Sequence, residues 1–145
     1  MSASEVPMRF YTIGYGGKSP SAFVALLQDH RIRTVVDVRV EPTKAHLGSY
    51  VRAKSPDKGI EQILSAGGIG YVSIPALGNP FRGDPDWKAK YDRWFREGAA
   101  TKHEFLECLP EPYCLLCAEK DPRECHRQTI ADVITERGGV VTHLD

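Results

Sequence analysis

The sequence predicts a single α/β domain, three layers deep, built on a mostly parallel sheet of about five strands. Short β-rich runs alternate with amphipathic stretches along the whole chain, which is how a parallel α/β sheet is written into a sequence. The chain has 145 residues, 41% of them hydrophobic and 26% charged, in line with one ordinary globular domain over residues 1–145. No linker divides it. A chain of this size buries roughly 68% of its unfolded surface, enough for one core without metal or disulfide.

The elements follow in order. Strand one is Arg9 to Gly14, and Ser19 with Pro20 then supplies an N-cap and a first helical position for a helix carrying Phe23, Leu26, Leu27 and His30 on one face. Strand two is Thr34 to Arg39. The stretch from Val40 to Pro56 shows no periodicity, holds Pro42, Gly48 and Pro56, and is long enough to be a candidate lid. A helix with Ile60, Ile63 and Leu64 at helical spacing ends at Gly67-Gly68, and strand three is Ile69 to Pro75.

The connection from Ala76 to Leu109 reads as two helices, because Gly98 interrupts it and Thr101 to Glu104 has capping-box spacing. The first opens at Asp84-Pro85 and stacks Trp87, Tyr91, Trp94 and Phe95 on one stripe, read as packing. Strand four is Tyr113 to Glu119. The last helix is expected to begin at Asp121-Pro122, with Glu124 three residues after its cap, and strand five is Val140 to Leu144.

Nineteen basic residues balance nineteen acidic ones, which argues against wholesale coating of nucleic acid or of an anionic membrane. No apolar run approaches the ~18 residues of a membrane span, and the first eight residues lack a secretory pattern, so a cytoplasmic location is expected. In that compartment the four cysteines are expected to be reduced.

In an open parallel sheet, ligands bind beyond the carboxyl ends of the strands, where strand order reverses. Strand one ends in Gly14-Tyr-Gly-Gly-Lys-Ser19, strand two in Asp37-Val-Arg39, and strand four in Cys117-Ala-Glu-Lys-Asp121 followed by Cys125-His-Arg127. The polar residues therefore collect at one edge and are expected to meet around one pocket. The glycine-rich first loop is not a Walker A loop, since position 12 is Thr, nor a dinucleotide fingerprint, since position 19 is Ser. Asp37 and Arg39, two apart on a strand, lean to the same face and can pair.

Cys114-x-x-Cys117 suggests zinc, but residues an odd number apart on a strand face opposite sides of the sheet, so no metal is assigned. Cys108 and Cys114 read as buried apolar residues. Cys117 is the nucleophile candidate, with a helix N-terminus and His126 able to lower its pKa and take its proton. On the helical wheel His126 and Arg127 share the side of Ile130, Val133 and Ile134, and Cys125 projects the other way. The catalytic set is thus Cys117, Glu119 and His126; Tyr15, Asp37, Arg39, Lys120 and Arg127 form the binding set.

With these residues assembled, the chain resembles the domain-of-unknown-function family 488 of bacteria and archaea. The likeness runs through Tyr11 to Tyr15, Ile32 to Arg39, Gly68 to Tyr71, Ile74 to Gly78 and above all Cys114 to Arg127. The resemblance implies a compact α/β domain with a polar site made from these segments, and it supplies no reaction. Family members often carry His and Ser or Thr after Ile-Gly, where this chain has Tyr15 and Gly16.

The first functional expectation is an enzyme acting on an anionic or nucleotide-like small molecule, with no cofactor indicated. The alternative is a nucleic-acid-binding or nucleic-acid-processing module, resting on Lys44, His46, Arg52, Lys54 and Lys58 with Phe81, Arg82 and Trp87. A third reading is a ligand-binding domain without catalysis. Neither the oligomeric state nor a membrane partner is indicated.

Overall fold

The run from Tyr113 to Cys117 is buried at every position, a pattern that suits only a central strand covered on both faces. In the computed structural model, which describes residues 9–39, 48–50, 52–53, 57–81, 83–98, 112–117 and 125–144, that is its place. The strands are β1 (Arg9–Gly14), β2 (Thr34–Asp37), β3 (Gly70–Ser73), β4 (Tyr113–Cys117) and β5 (Val140–Leu144). They form one sheet in the order β3-β2-β4-β1-β5, and every pairing is parallel. The four α-helices among the described residues are α1 (Pro20–Asp29), α2 (Gly59–Ala66), α3 (Trp87–Glu97) and α4 (Arg127–Glu136).

The chain moves from β1 through β2 to β3 in one direction across the sheet, then returns to β4 and on to β5. Right-handed crossovers therefore place α1 and α2 on one face and α3 and α4 on the other. Two cores result. Phe23, Leu27, Ile60 and Leu64 pack with Ile13, Val35, Cys114 and Leu116 on the first face. Tyr91, Phe95, Ile130, Val133 and Ile134 pack with Phe10, Val36, Tyr113 and Leu115 on the second. Period-two alternation along β4 sends Cys114 to one core and Leu115 to the other, as the parity argument required.

The anticipated aromatic stripe on α3 is packing: Tyr91 and Phe95 are buried, and Trp87 and Trp94 lie against the same core. Ser19 caps α1, its Oγ accepting from the Ala22 amide at 3.2 Å. Strand three is shorter than expected because Pro75, with its fixed φ, opens a 3-10 turn over Pro75–Leu77. Strand two stops at Asp37, where the Arg39 amide turns onto the Asp37 carboxylate.

The last helix requires a correction. Its described residues begin at Arg127, with His126 at the N-cap and Cys125 in the turn before it. The expected start at Asp121-Pro122 with Glu124, the second helix at Thr101 to Glu104, and most of the 40–56 stretch lie outside the described residues. So do Cys108, Glu119 and Lys120. Within the 40–56 stretch, Tyr50 is buried and its hydroxyl donates to the Lys18 carbonyl at 2.7 Å.

Candidate functional site

The sheet order makes β4 the strand where the winding direction changes, because its connection leaves on the opposite face from those of β1 and β2. Its carboxyl end is the crevice in which such sheets bind ligands. Backbone bonds run one step past the regular ladders there: the Tyr15 amide donates to the Cys117 carbonyl at 3.2 Å, and the Val38 amide to the Leu116 carbonyl at 3.1 Å. Tyr15, Val38 and Cys117 thus lie side by side. Alternation then divides their neighbours between the two faces of the sheet, so the expected residues meet in two clusters that share this backbone edge.

The first cluster lies on the α1/α2 face. Asp37 is fully buried, and its Oδ1 accepts from the Arg39 amide at 3.0 Å and from Arg39 Nε at 2.8 Å. Its Oδ2 accepts from Arg39 Nη2 and from the Tyr71 hydroxyl, both at 2.6 Å. Burial opposes the Arg39 charge, yet hydrogen bonding and attraction from Asp37 outweigh it, and the Arg39 pKa is raised. Burial first, then the Asp37 charge, pushes the Tyr71 phenol up as well. The guanidinium sits 5.5 Å from the Tyr15 ring centroid, and Tyr15 stacks on Tyr50 at 4.4 Å. Arg39 Nη1 is buried and has no hydrogen-bond partner among the described residues. The side chain is 8% exposed, so this is an oriented arginine with one edge spent on Asp37 and the other uncommitted.

The second cluster lies on the α3/α4 face. Cys117 and Cys125 are joined as a disulfide with their Cα atoms 7.0 Å apart, and both are buried. His126 Nε2 lies 2.6 Å from the Val38 carbonyl, which can only accept, so the proton of the neutral ring belongs on Nε2. Nδ1 then carries the lone pair. It faces Cys117 Sγ at 3.9 Å and Cys125 Sγ at 3.8 Å. Tyr91 holds the ring edge-on, 5.1 Å between centroids. A groove of about 360 Å³ between α3 and α4 is lined by Trp87, Lys88, Asp92, Cys125, Gln128 and Asp132.

Tyr15, Asp37 and Arg39 are therefore together, as are Cys117 and His126. Arg127 is fully buried on the α4 side expected of it, its amide donating to Cys125 Sγ at 3.5 Å, and its charge is felt at Cys114 and His143. The expectation for Cys125 is overturned: it bonds to Cys117 instead of pointing away, because it precedes α4 and the helical wheel does not apply to it. The expectation of four reduced cysteines is corrected with it, and Cys117 carries no free thiol while the bond is intact. Cys114 is a buried free thiol, as expected.

Tyr71, Tyr50 and Cys125 were missed. Tyr71 could have been found once β3 was paired with β2, since it lies opposite Val35, on the same face as Asp37 and two residues away. For Tyr50 and Cys125 the sequence carries no periodic signal. Of the basic and aromatic set, Lys44, His46, Lys54 and Arg82 lie outside the described residues. Arg52 pairs with Glu61 at 3.7 Å, and Phe81 packs on Trp94 at 6.2 Å.

Fold and site together define a doubly wound, all-parallel α/β protein with polar clusters at the carboxyl ends of its central strands. The chain belongs to the family described as domain of unknown function DUF488, whose model matches residues 19–134. No curated protein and no solved structure matches it. No described helix is long and apolar enough to cross a membrane.

Proposed function

We propose that the chain is an enzyme acting on an anionic or nucleotide-like small molecule at the carboxyl ends of β1, β2 and β4. Arg39 holds the anion. The observation that carries this reading is its buried Nη1, unpartnered among the described residues, on a guanidinium already aligned by Asp37. A planar donor fork fixed on one edge is pre-organised for a carboxylate or phosphate on the other, so little side-chain entropy is lost on binding. Asp37 and Tyr71 position Arg39, and Tyr15 supports it from below. Cys117 and His126 supply the chemistry once the disulfide is reduced. His126 Nδ1 accepts the thiol proton, which leaves Cys117 a thiolate beside an imidazolium, while Nε2 stays anchored to Val38. Arg127 is assigned to the electrostatics of the same edge, and Glu119 and Lys120 keep their proposed catalytic and binding roles.

Calorimetric titration of the reduced protein with inorganic phosphate, a nucleoside monophosphate and a short single-stranded oligonucleotide tests this. Binding of a small anion, weakened about 10- to 100-fold in Arg39→Gln, is the expected result. Equal affinity in the variant, or no response to either small anion, refutes it. Tight binding of the oligonucleotide alone would favour the nucleic-acid reading. For the chemistry, Cys117→Ser is expected to abolish turnover and leave anion binding intact.

A further inference from the structure

We propose that Cys117, Cys125 and His126, when reduced, form a three-ligand site for a soft divalent transition metal of the Zn²⁺ class, and that the disulfide and the ion exclude one another. The proposal rests on the α3/α4 cluster alone and does not depend on anion binding at Arg39. The three ligand atoms lie within 4.8 Å of one another and all three residues are buried. Two thiolates and an imidazole nitrogen are the donor set that selects zinc over magnesium or calcium.

The orientation of His126 points to a ligand. A metal-binding histidine presents one nitrogen and anchors the other on a carbonyl or carboxylate, which sets its tautomer. Here Nε2 is anchored on Val38 at 2.6 Å, and the lone pair of Nδ1 is aimed between the two sulfurs at 3.9 and 3.8 Å. Tetrahedral zinc with ordinary bond lengths sets sulfur and nitrogen roughly 3.6 Å apart, so these separations need to close by only a few tenths of an ångström. The two sulfurs are bonded here, with Cα atoms 7.0 Å apart, and reduction must let them separate to the roughly 3.8 Å that an ion between them requires.

There is also a way in. Cys125 lines the groove between α3 and α4 together with Lys88, Asp92 and Asp132, so the centre borders a cleft of about 360 Å³. Three protein ligands leave the fourth position to water or to a further donor. The metal takes the Nδ1 lone pair that would otherwise accept the Cys117 proton. The metal-loaded and thiol-reactive forms are therefore separate states of one reduced centre.

The test uses the full chain. A phosphine reduces the disulfide: it gives up two electrons and becomes the phosphine oxide, water provides the oxygen and two protons, and two thiols result. After anaerobic removal of reagent, Co²⁺ is titrated in as a spectroscopic probe, followed by Zn²⁺. We expect one equivalent of Co²⁺ per chain with a thiolate-to-metal charge-transfer band, and displacement by Zn²⁺. Untreated, disulfide-bonded protein should give no band. Cys114→Ala should behave as the parent, while Cys125→Ser and His126→Gln should each weaken binding at least about tenfold. A second measurement covers the case in which those variants do not fold: Zn²⁺ should protect two thiols of the parent protein from a disulfide reagent. Absence of the band, an equal response from the oxidised protein, undiminished affinity in both variants, or no protection would each overturn the proposal.

Discussion

His126 donates its Nε2 proton to the carbonyl of Val38 across 2.6 Å, tying the turn before α4 to the end of β2, 88 residues earlier in the chain. Both residues are buried. Replacing His126 by Ala leaves that carbonyl without this donor, and an unsatisfied buried group costs about 1–3 kcal/mol. Urea denaturation should show that loss with an unchanged slope. A midpoint identical to the parent's would mean that the bond contributes nothing.

Asp37 accepts from the Arg39 amide and guanidinium and from the Tyr71 hydroxyl. Tyr71→Phe removes one hydrogen bond to a charged acceptor and is expected to cost about 1.5–3 kcal/mol. Arg39→Ala strands a fully buried carboxylate and should cost about 3–5 kcal/mol, the larger of the two effects. Reversal of that order in equilibrium unfolding would show that Tyr71, and not Arg39, is the principal partner.

Ser19 is a local matter by comparison. Its hydroxyl satisfies one of the open amides at the start of α1, and Ser19→Ala should lower stability by about 1 kcal/mol. Ser19→Gly should cost less, because glycine is itself acceptable at that position. Thermal unfolding of the two variants separates a cap from general packing.

His143 gives the fold an acid-sensitive term. Its ring sits beside the Thr12 hydroxyl, and burial, followed by the charge of Arg127, depresses its pKa below the usual histidine value of about 6.5. The unfolded chain therefore binds this proton more readily than the folded one. The stabilisation is present above about pH 6.5 and is lost as pH falls through the depressed value. Melting temperatures across that range should decline on acidification, and His143→Gln should flatten the decline. A parent-like slope in the variant would assign the effect elsewhere.

The Cys117–Cys125 bond closes a short loop, with a sequence separation of 8. Loop-closure entropy for that length predicts that reduction lowers stability by about 2–3 kcal/mol. Denaturation with and without a phosphine reads this directly. If the metal proposal holds, Zn²⁺ added to the reduced protein recovers stability that rises with the logarithm of its concentration above its dissociation constant.

Much of the architecture was legible because its causes are local. Arg9–Gly14 and Val140–Leu144 have the strand bounds expected from their β-rich runs, and α1 starts at the Ser19-Pro20 signal. The Asp37–Arg39 pair was legible from their spacing of two, although Arg39 lies just past the end of β2. Parity also separated Cys114 from Cys117. The wheel failed at Cys125 because it assumes helix, and the turn before α4 is set by packing of the buried His126 on Tyr91 and Val38.

The amino-acid order alone determined a parallel α/β fold with Asp37, Arg39 and Cys117 at the carboxyl edge of its strands, since hydrophobic period, caps and turn residues act within a few positions of themselves. Strand order, the division of that edge into an arginine cluster on one face and a sulfur-imidazole cluster on the other, and the partners Tyr71 and Cys125 were decided only by tertiary structure. These depend on which strands become neighbours and on which face each crossover covers. That choice is made by burying both sides of β2 and β4 at once, a global condition that no single stretch of the sequence records.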